Sequence, residues 1–379
     1  MTAVSLPVIA PVVSWLVVAA VAAALARLLT WSVGRAVGDG PRSSAMHRGI
    51  EAAFVVAALV LWWWEIHTPG RVPRSDAAAA GLLSVGHVTR YAAHLVLMAL
   101  LAAAAWVDLR HRVIPDGITV PGVLTGLVWT TVDPRVLLPV VREVPRSFAA
   151  PAEVADVLGL VGPLHGDPPP HWLGGWPAPA GLAAAVLVYA VWWFRCTAPR
   201  DDGPAPSAWW RDLRDPRPLI LGGGLAWIGA TWWTGGDHWL GLLTSLAGIA
   251  VSAGVIWLIR AGASWALGQE AMGLGDVTLM AMVGAWLGWQ PCLLVCFLAV
   301  FIGLAHGLGQ VLLRREHELP FGPSLCLAAA AVVVLWQPLW ERTADVFARP
   351  LDLALTLAVV VVLTALSLFV WRRLRGDPV

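Results

Sequence analysis

A chain of 379 residues with 58% hydrophobic and 13% charged residues is not an ordinary soluble protein, in which about a quarter of residues carry charge. All 25 basic residues are arginine and they nearly balance 24 acidic ones, so the net charge is +1. This excludes a basic nucleic-acid surface and any mechanism that needs a catalytic lysine.

In chain order, apolar segments fall at about 6–29, 50–66, 90–108, 114–132, 178–195, 217–234, 238–260, 276–290, 291–313, 321–340 and 351–371. Several reach the ~20 residues that a spanning helix needs. The expected fold is an all-α polytopic membrane bundle of about 11 spans. The first segment lacks a basic region before it and is too long for a signal peptide, so it is expected to be a retained helix. Trp289-Gln290-Pro291 is expected to make a tight turn between neighbouring helices.

Arginine placement suggests an orientation. With the N-terminus outside and the sides alternating, 17 of the 25 arginines lie on the cytoplasmic face, as the positive-inside rule favours. The ends carrying Asp108 and Asp276 then share that face. Tryptophan clusters such as Trp62-Trp63-Trp64 and Trp232-Trp233 sit at predicted span ends, where the interface suits them. Residues 133–177, with Pro168-Pro169-Pro170, read as an external loop, and 196–216 as a solvated inner one.

Two constellations carry chemistry. Asp108 ends an apolar helix and is followed by Arg110, Arg112, Ile114, Pro115 and Asp116. Alone, Asp108 reads as an interfacial charge, Arg110 and Arg112 as topology anchors, and Asp116 as a first-turn carboxylate suited to the helix dipole. Gly273-Leu274-Gly275-Asp276 opens another apolar helix, where Asp276 has an N-capping reading. A carboxylate at the mouth of a span is costly unless it is solvated or used. Together, two aspartates at neighbouring helix ends could face one cleft, share a proton, and act as general acid and base on water. No metalloprotease, serine-hydrolase, P-loop or dinucleotide motif competes with this reading.

The run from Glu270 through Asp276 to Gln290 resembles the signature of type IV prepilin peptidases, and Asp108 with Ile114-Pro115-Asp116 is similar to that family's first catalytic motif. Pro320-Phe321-Gly322-Pro323 resembles its late PFGP motif. The resemblance covers roughly 90–132 and 236–340. It implies an intramembrane aspartic endopeptidase in the inner (cytoplasmic) membrane, with Asp108 and Asp276 as the catalytic pair and no cofactor or metal. The implied partners are the bilayer and pilin-like precursors with a short basic leader and an apolar helix; no nucleic acid is expected. PFGP is expected to support packing near the site, and Glu270 and Asp116 are candidate contacts for the leader.

Domains are expected at 1–89 (divergent N-terminal helices), 90–132 (first catalytic-aspartate pair of helices), 133–235 (insertion), 236–340 (GxGD and PFGP core) and 341–379 (C-terminal helix). The insertion separates Asp108 and Asp276 by 168 positions, far more than the family pattern, and adds an external loop plus two spans. An even number of spans preserves downstream sidedness. Thr278 stands where relatives often carry lysine. Residues 1–107 contain no cysteine, so neither the cysteine-rich insert of bifunctional members nor methyl transfer is expected. The four cysteines, Cys196, Cys292, Cys296 and Cys326, read as small buried apolar residues. His94 and His306 read as hydrogen-bonded packing residues, and Glu65 as interfacial.

Two other functions fit parts of the pattern. A presenilin-like protease would share Gly273–Asp276 but carry Pro-Ala-Leu where this chain has Pro320-Phe321-Gly322-Pro323. A transporter or scaffold would use the aspartates to bind cations or protons. Cleavage position separates the first from a leader peptidase, and peptidase activity against vesicle uptake separates the second.

Overall fold

The computed structural model describes residues 9–37, 44–67, 87–138, 179–197, 217–270, 272–312, 321–347 and 350–375, and in these every regular element is helical. The helices are α1 (Ile9–Val37), α2 (Ser44–Trp62), α3 (His87–His111), α4 (Asp116–Val132), α5 (Pro179–Thr197), α6 (Arg217–Thr234), α7 (Gly236–Leu267), α8 (Leu274–Leu287), α9 (Trp289–Leu312), α10 (Gly322–Val334), α11 (Trp336–Phe347) and α12 (Pro350–Arg375). Helices suit these apolar runs because a bilayer offers no partner to unpaired backbone groups. Among the described residues five helices are long and apolar enough to cross a membrane, or six if the bent α10–α11 pair makes one span. Each of the eleven apolar segments overlaps a helix among these residues, and five or six of the helices have the length and apolarity of a span. Pro168-Pro169-Pro170, Pro320 and most of the two expected loops lie outside the described residues.

The centre of the bundle is α8. From Thr278 to Leu287 every one of its side chains is buried, as expected of a helix that is apolar all round. It lies against α7 and α4, with α3, α9 and α10 completing the enclosure. The α7–α8 contact depends on absent side chains: a Cβ on Gly248 would collide with the Gly284 carbonyl, and one on Gly284 with the Gly248 carbonyl. Ser252 Oγ sits 2.6 Å from the Gly248 carbonyl and 2.7 Å from the Met280 carbonyl, sharing its one proton across the interface. On the other flank, Trp286 Nε1 donates to the Gly122 carbonyl of α4 at 2.8 Å. Close approach through small residues with hydroxyl bridges is how helices pack where lipid removes the hydrophobic drive.

Two details correct the expected layout. The α8–α9 turn falls at Gly288, with φ 80°, and α9 already begins at Trp289 rather than after Pro291. The segment expected as one span at 321–340 breaks after Val334, and α11 leaves α10 at 85°. Pro338 explains the break. It has no N–H for the Val334 carbonyl four residues back, and that carbonyl accepts from Trp64 Nε1 at 2.8 Å instead.

Helices α5 and α6, expected as the two added spans, pair with each other. Tyr189 Oη donates to the Ile220 carbonyl at 2.7 Å and Trp193 Nε1 to the Arg217 carbonyl at 3.1 Å. The pair docks on α7, so it does not lie between the two aspartates. In the N-terminal half of α3, His94 is buried and forms a part-buried pair with Glu65 at 2.6 Å. His94 is thus a hydrogen-bonded packing residue as expected, and Glu65, part-buried at the end of its helix, is its partner.

Candidate active site

Asp108 lies in the last turn of α3 and Asp276 in the first turn of α8. Their exposures are 5% and 8%. The two carboxylates lie close enough to interact electrostatically, and among the described residues neither has a salt-bridge partner. Helix ends separated by 168 positions therefore meet at one end of the bundle.

Local chemistry explains how each is held. After α3, Arg112 takes the left-handed conformation (φ 54°), its N–H bonding the Asp108 carbonyl at 2.8 Å. This closes the helix and turns the chain toward Ile114-Pro115. Pro115 is the extended residue before α4, where a proline needs no N–H. Asp116 follows in the first turn, as expected, with one carboxylate oxygen buried. On the other side, Gly273 is the extended N-cap residue of α8 and Asp276 sits three residues on.

The third motif meets the first directly. Phe321 precedes α10, and Gly322 is its first residue. The N–H groups of a helix's first turn have no partner within the helix; that of Gly322 donates to the Asp108 carboxylate. Pro323, next in line, has no N–H to satisfy. A Cβ on Gly322 would collide with Asp108 Oδ2 and lie 3.0 Å from Ile114 Cδ1. A Cβ on Gly275 would lie 3.1 Å from Ile114 Cβ. Ile114, 4% exposed, is thus wedged between the glycine beside Asp276 and the glycine that binds Asp108. Three short stretches, distant in sequence, interlock around one isoleucine.

Other residues were not legible from the sequence. Cys326, one turn into α10, lies buried within electrostatic reach of both carboxylates; a lone cysteine in an apolar helix gives no signal of this. Glu270 is 67% exposed and pairs with Arg260 of α7, a partnership hidden by a separation of ten positions. Thr278 is buried and donates to the Gly275 carbonyl at 3.0 Å, so it closes the first turn of α8. Arg110 lies over the Trp106 ring at 4.5 Å, as an interfacial anchor would. Among the described residues no three His, Cys, Asp or Glu side chains converge as a metal site requires.

Residues 211–308 match the family model of the type IV leader peptidases. The chain is similar to the prepilin leader peptidase/N-methyltransferase of Aeromonas hydrophila, with 38% identity over 112 residues, 26% of this chain and 38% of that protein. It is likewise similar to the protein of that name from Pectobacterium carotovorum (36% over 111 residues, 26% and 40%) and to that from Pseudomonas aeruginosa (32% over 123 residues, 28% and 41%). The chain thus spans about two fifths of the length of these relatives. No solved structure matches it significantly. The matched stretch contains α6, α7, the Gly273–Asp276 motif, α8 and most of α9, and it is these residues that are similar to the type IV leader peptidase family.

Proposed function

We propose that this protein is an aspartic endopeptidase of the inner membrane that removes the basic leader from pilin-like precursors at the cytoplasmic face. The observation that supports the reading is that Asp108 and Asp276 are both buried, inside a framework made by three stretches that resemble leader-peptidase motifs. Relatives named prepilin leader peptidase/N-methyltransferase support the substrate class. The orientation with the N-terminus outside, and a total of about eleven spans, belong to the same proposal.

Two buried carboxylates held together retain one proton between them. The ionised member takes a proton from water as its oxygen attacks the scissile carbonyl, while the protonated member hydrogen-bonds the carbonyl oxygen as charge develops there. Collapse of the tetrahedral intermediate breaks the C–N bond, and the amine leaves with a proton returned from the pair. The Gly322 N–H orients Asp108 through this cycle. Glu270, at the exposed edge of the site, and Asp116 are acidic groups suited to a basic leader. Methyl transfer is not part of the proposal, because residues 1–107 lack the cysteines of the bifunctional insert.

Asp108→Asn and Asp276→Asn, made separately in the full-length protein, test the reading. Each is expected to insert in the membrane at the wild-type level and to leave a pilin-like precursor uncut. Normal processing by either variant would overturn the assignment.

A further inference from the structure

The loop that delivers Asp276 is tied down from outside α8. Helix α7 ends at Leu267, and Gly268 reverses the chain with φ 69°, its N–H on the Ser264 carbonyl at 2.8 Å. From there the chain returns through Glu270 and Met272 to Gly273, the residue that opens α8. Arg260 stands seven residues before the end of α7, about two turns back. Its Nε donates to the Met272 carbonyl at 2.8 Å, and its terminal nitrogen Nη2 pairs with the Glu270 carboxylate. One planar guanidinium therefore holds the loop at two points, and the second is the peptide group immediately before Gly273.

We infer that Arg260 is a positioning residue for Asp276, acting through the Met272 carbonyl and not by touching the reacting atoms. This rests on the reading of Asp276 as a catalytic carboxylate. The physical case is geometric. Met272 is four residues before Asp276, and Gly273 and Gly275 lie between them. Glycine leaves the backbone more freedom than any other residue, so a glycine-flanked motif defines its aspartate's position poorly unless something else fixes the backbone before it. A fork with fixed nitrogen geometry does this; a lysine ammonium would offer one flexible point. The contribution of the two contacts differs. Glu270 is 67% exposed and Arg260 is 20% exposed, and solvent-exposed ion pairs contribute little. The Nε–carbonyl bond is the one that sets the position, and Glu270 sets the plane of the fork.

The experiment uses full-length protein in lipid nanodiscs, with Arg260→Gln, Arg260→Lys and Glu270→Gln compared with wild type. Two readouts are taken: amide hydrogen exchange of peptides covering 268–276, and kcat and KM for a precursor peptide with a basic leader and an apolar helix. Arg260→Gln is expected to speed exchange in 268–276 about tenfold while peptides from 240–256 stay protected. It should lower kcat about 10–100-fold with KM within about twofold, because displacing a catalytic group by about 1 Å has that effect. Arg260→Lys should recover less than half of either change, and Glu270→Gln should leave exchange in 268–276 within about threefold of wild type. Wild-type exchange and kcat in Arg260→Gln, or full restoration by lysine, would overturn the inference, as would an effect confined to KM. Should Arg260→Gln fail to fold, Arg260→Lys decides alone, since it keeps charge and stem and loses the Nε–carbonyl bond. If the wild-type protein cleaves no precursor, the proposed function fails, while the exchange data still decide whether Arg260 holds the loop.

Discussion

Gly322→Ala tests the site where two simple expectations oppose each other. Gly322 is the first residue of α10 and its backbone is not in the left-handed region, so alanine can adopt it and should favour the helix by about 0.5–1 kcal/mol. The added methyl, however, would collide with Asp108 Oδ2 and lie 3.1 Å from Asp108 Cγ and 3.0 Å from Ile114 Cδ1. Ile114 is wedged against Gly275 on its other side, so the carboxylate must give way. Swinging it out breaks the hydrogen bond from the Gly322 N–H, a charge-assisted bond of roughly 1.5–3 kcal/mol. A displacement of about 1 Å then costs about 100-fold in rate, or roughly 2.7 kcal/mol in the barrier. Overpacking costs about 1–3 kcal/mol, partly offset by helix propensity, so the fold should persist. The assay is cleavage of a precursor peptide in nanodiscs, beside thermal unfolding of the same preparation. Activity should fall about 100-fold with a Tm shift of only a few degrees. Wild-type turnover, or a loss of activity that follows unfolding, would refute the reasoning.

Three further outcomes follow from the packing. Gly284→Val should destabilise the protein more than an ordinary surface change, because its side chain meets the Gly248 carbonyl and Ser252 Oγ; a Tm equal to wild type would show that α7 and α8 can part freely. His94→Leu removes the buried partner of Glu65 and should cost about 1–3 kcal/mol, whereas His94→Leu with Glu65→Leu should restore part of it; denaturant unfolding of the two variants decides the order. Pro338→Ala supplies the N–H that the Val334 carbonyl lacks, competing with Trp64. The 85° bend should open, measurable as a longer distance between spin labels on α11 and α2; an unchanged distance would mean that packing of Trp336 and Trp340, not proline, makes the bend.

Much of the site was readable because membrane sequences leave few polar residues to choose among. An aspartate beside Arg110 and Arg112 at one helix end, and another after Gly273-Leu274-Gly275, stand out in a chain with 13% charged residues. Their flanking glycines marked close approach without saying to what: the answer, Ile114, is an ordinary apolar residue with no polar signature. Glu65 looked interfacial because it follows three tryptophans, and only packing shows His94 opposite it. The segment expected at 321–340 bends after Val334, four residues before Pro338, since the consequence of a missing N–H depends on whether another donor, here Trp64, takes the carbonyl. Nothing in the sequence distinguishes Arg260 from the other arginines; its contacts with the loop appear only in the folded chain.

The sequence by itself determined that the chain is helical, membrane-embedded and equipped with two aspartates at helix ends, because hydrocarbon excludes charge and unpaired backbone along every apolar run. The tertiary structure decided that these ends meet: α8 is enclosed by its neighbours, α5 and α6 dock on α7, and the first N–H of α10 points at Asp108. Contacts of this kind join residues up to 214 positions apart, as Asp108 and Gly322 are, and no local rule of spacing reaches that far; packing does.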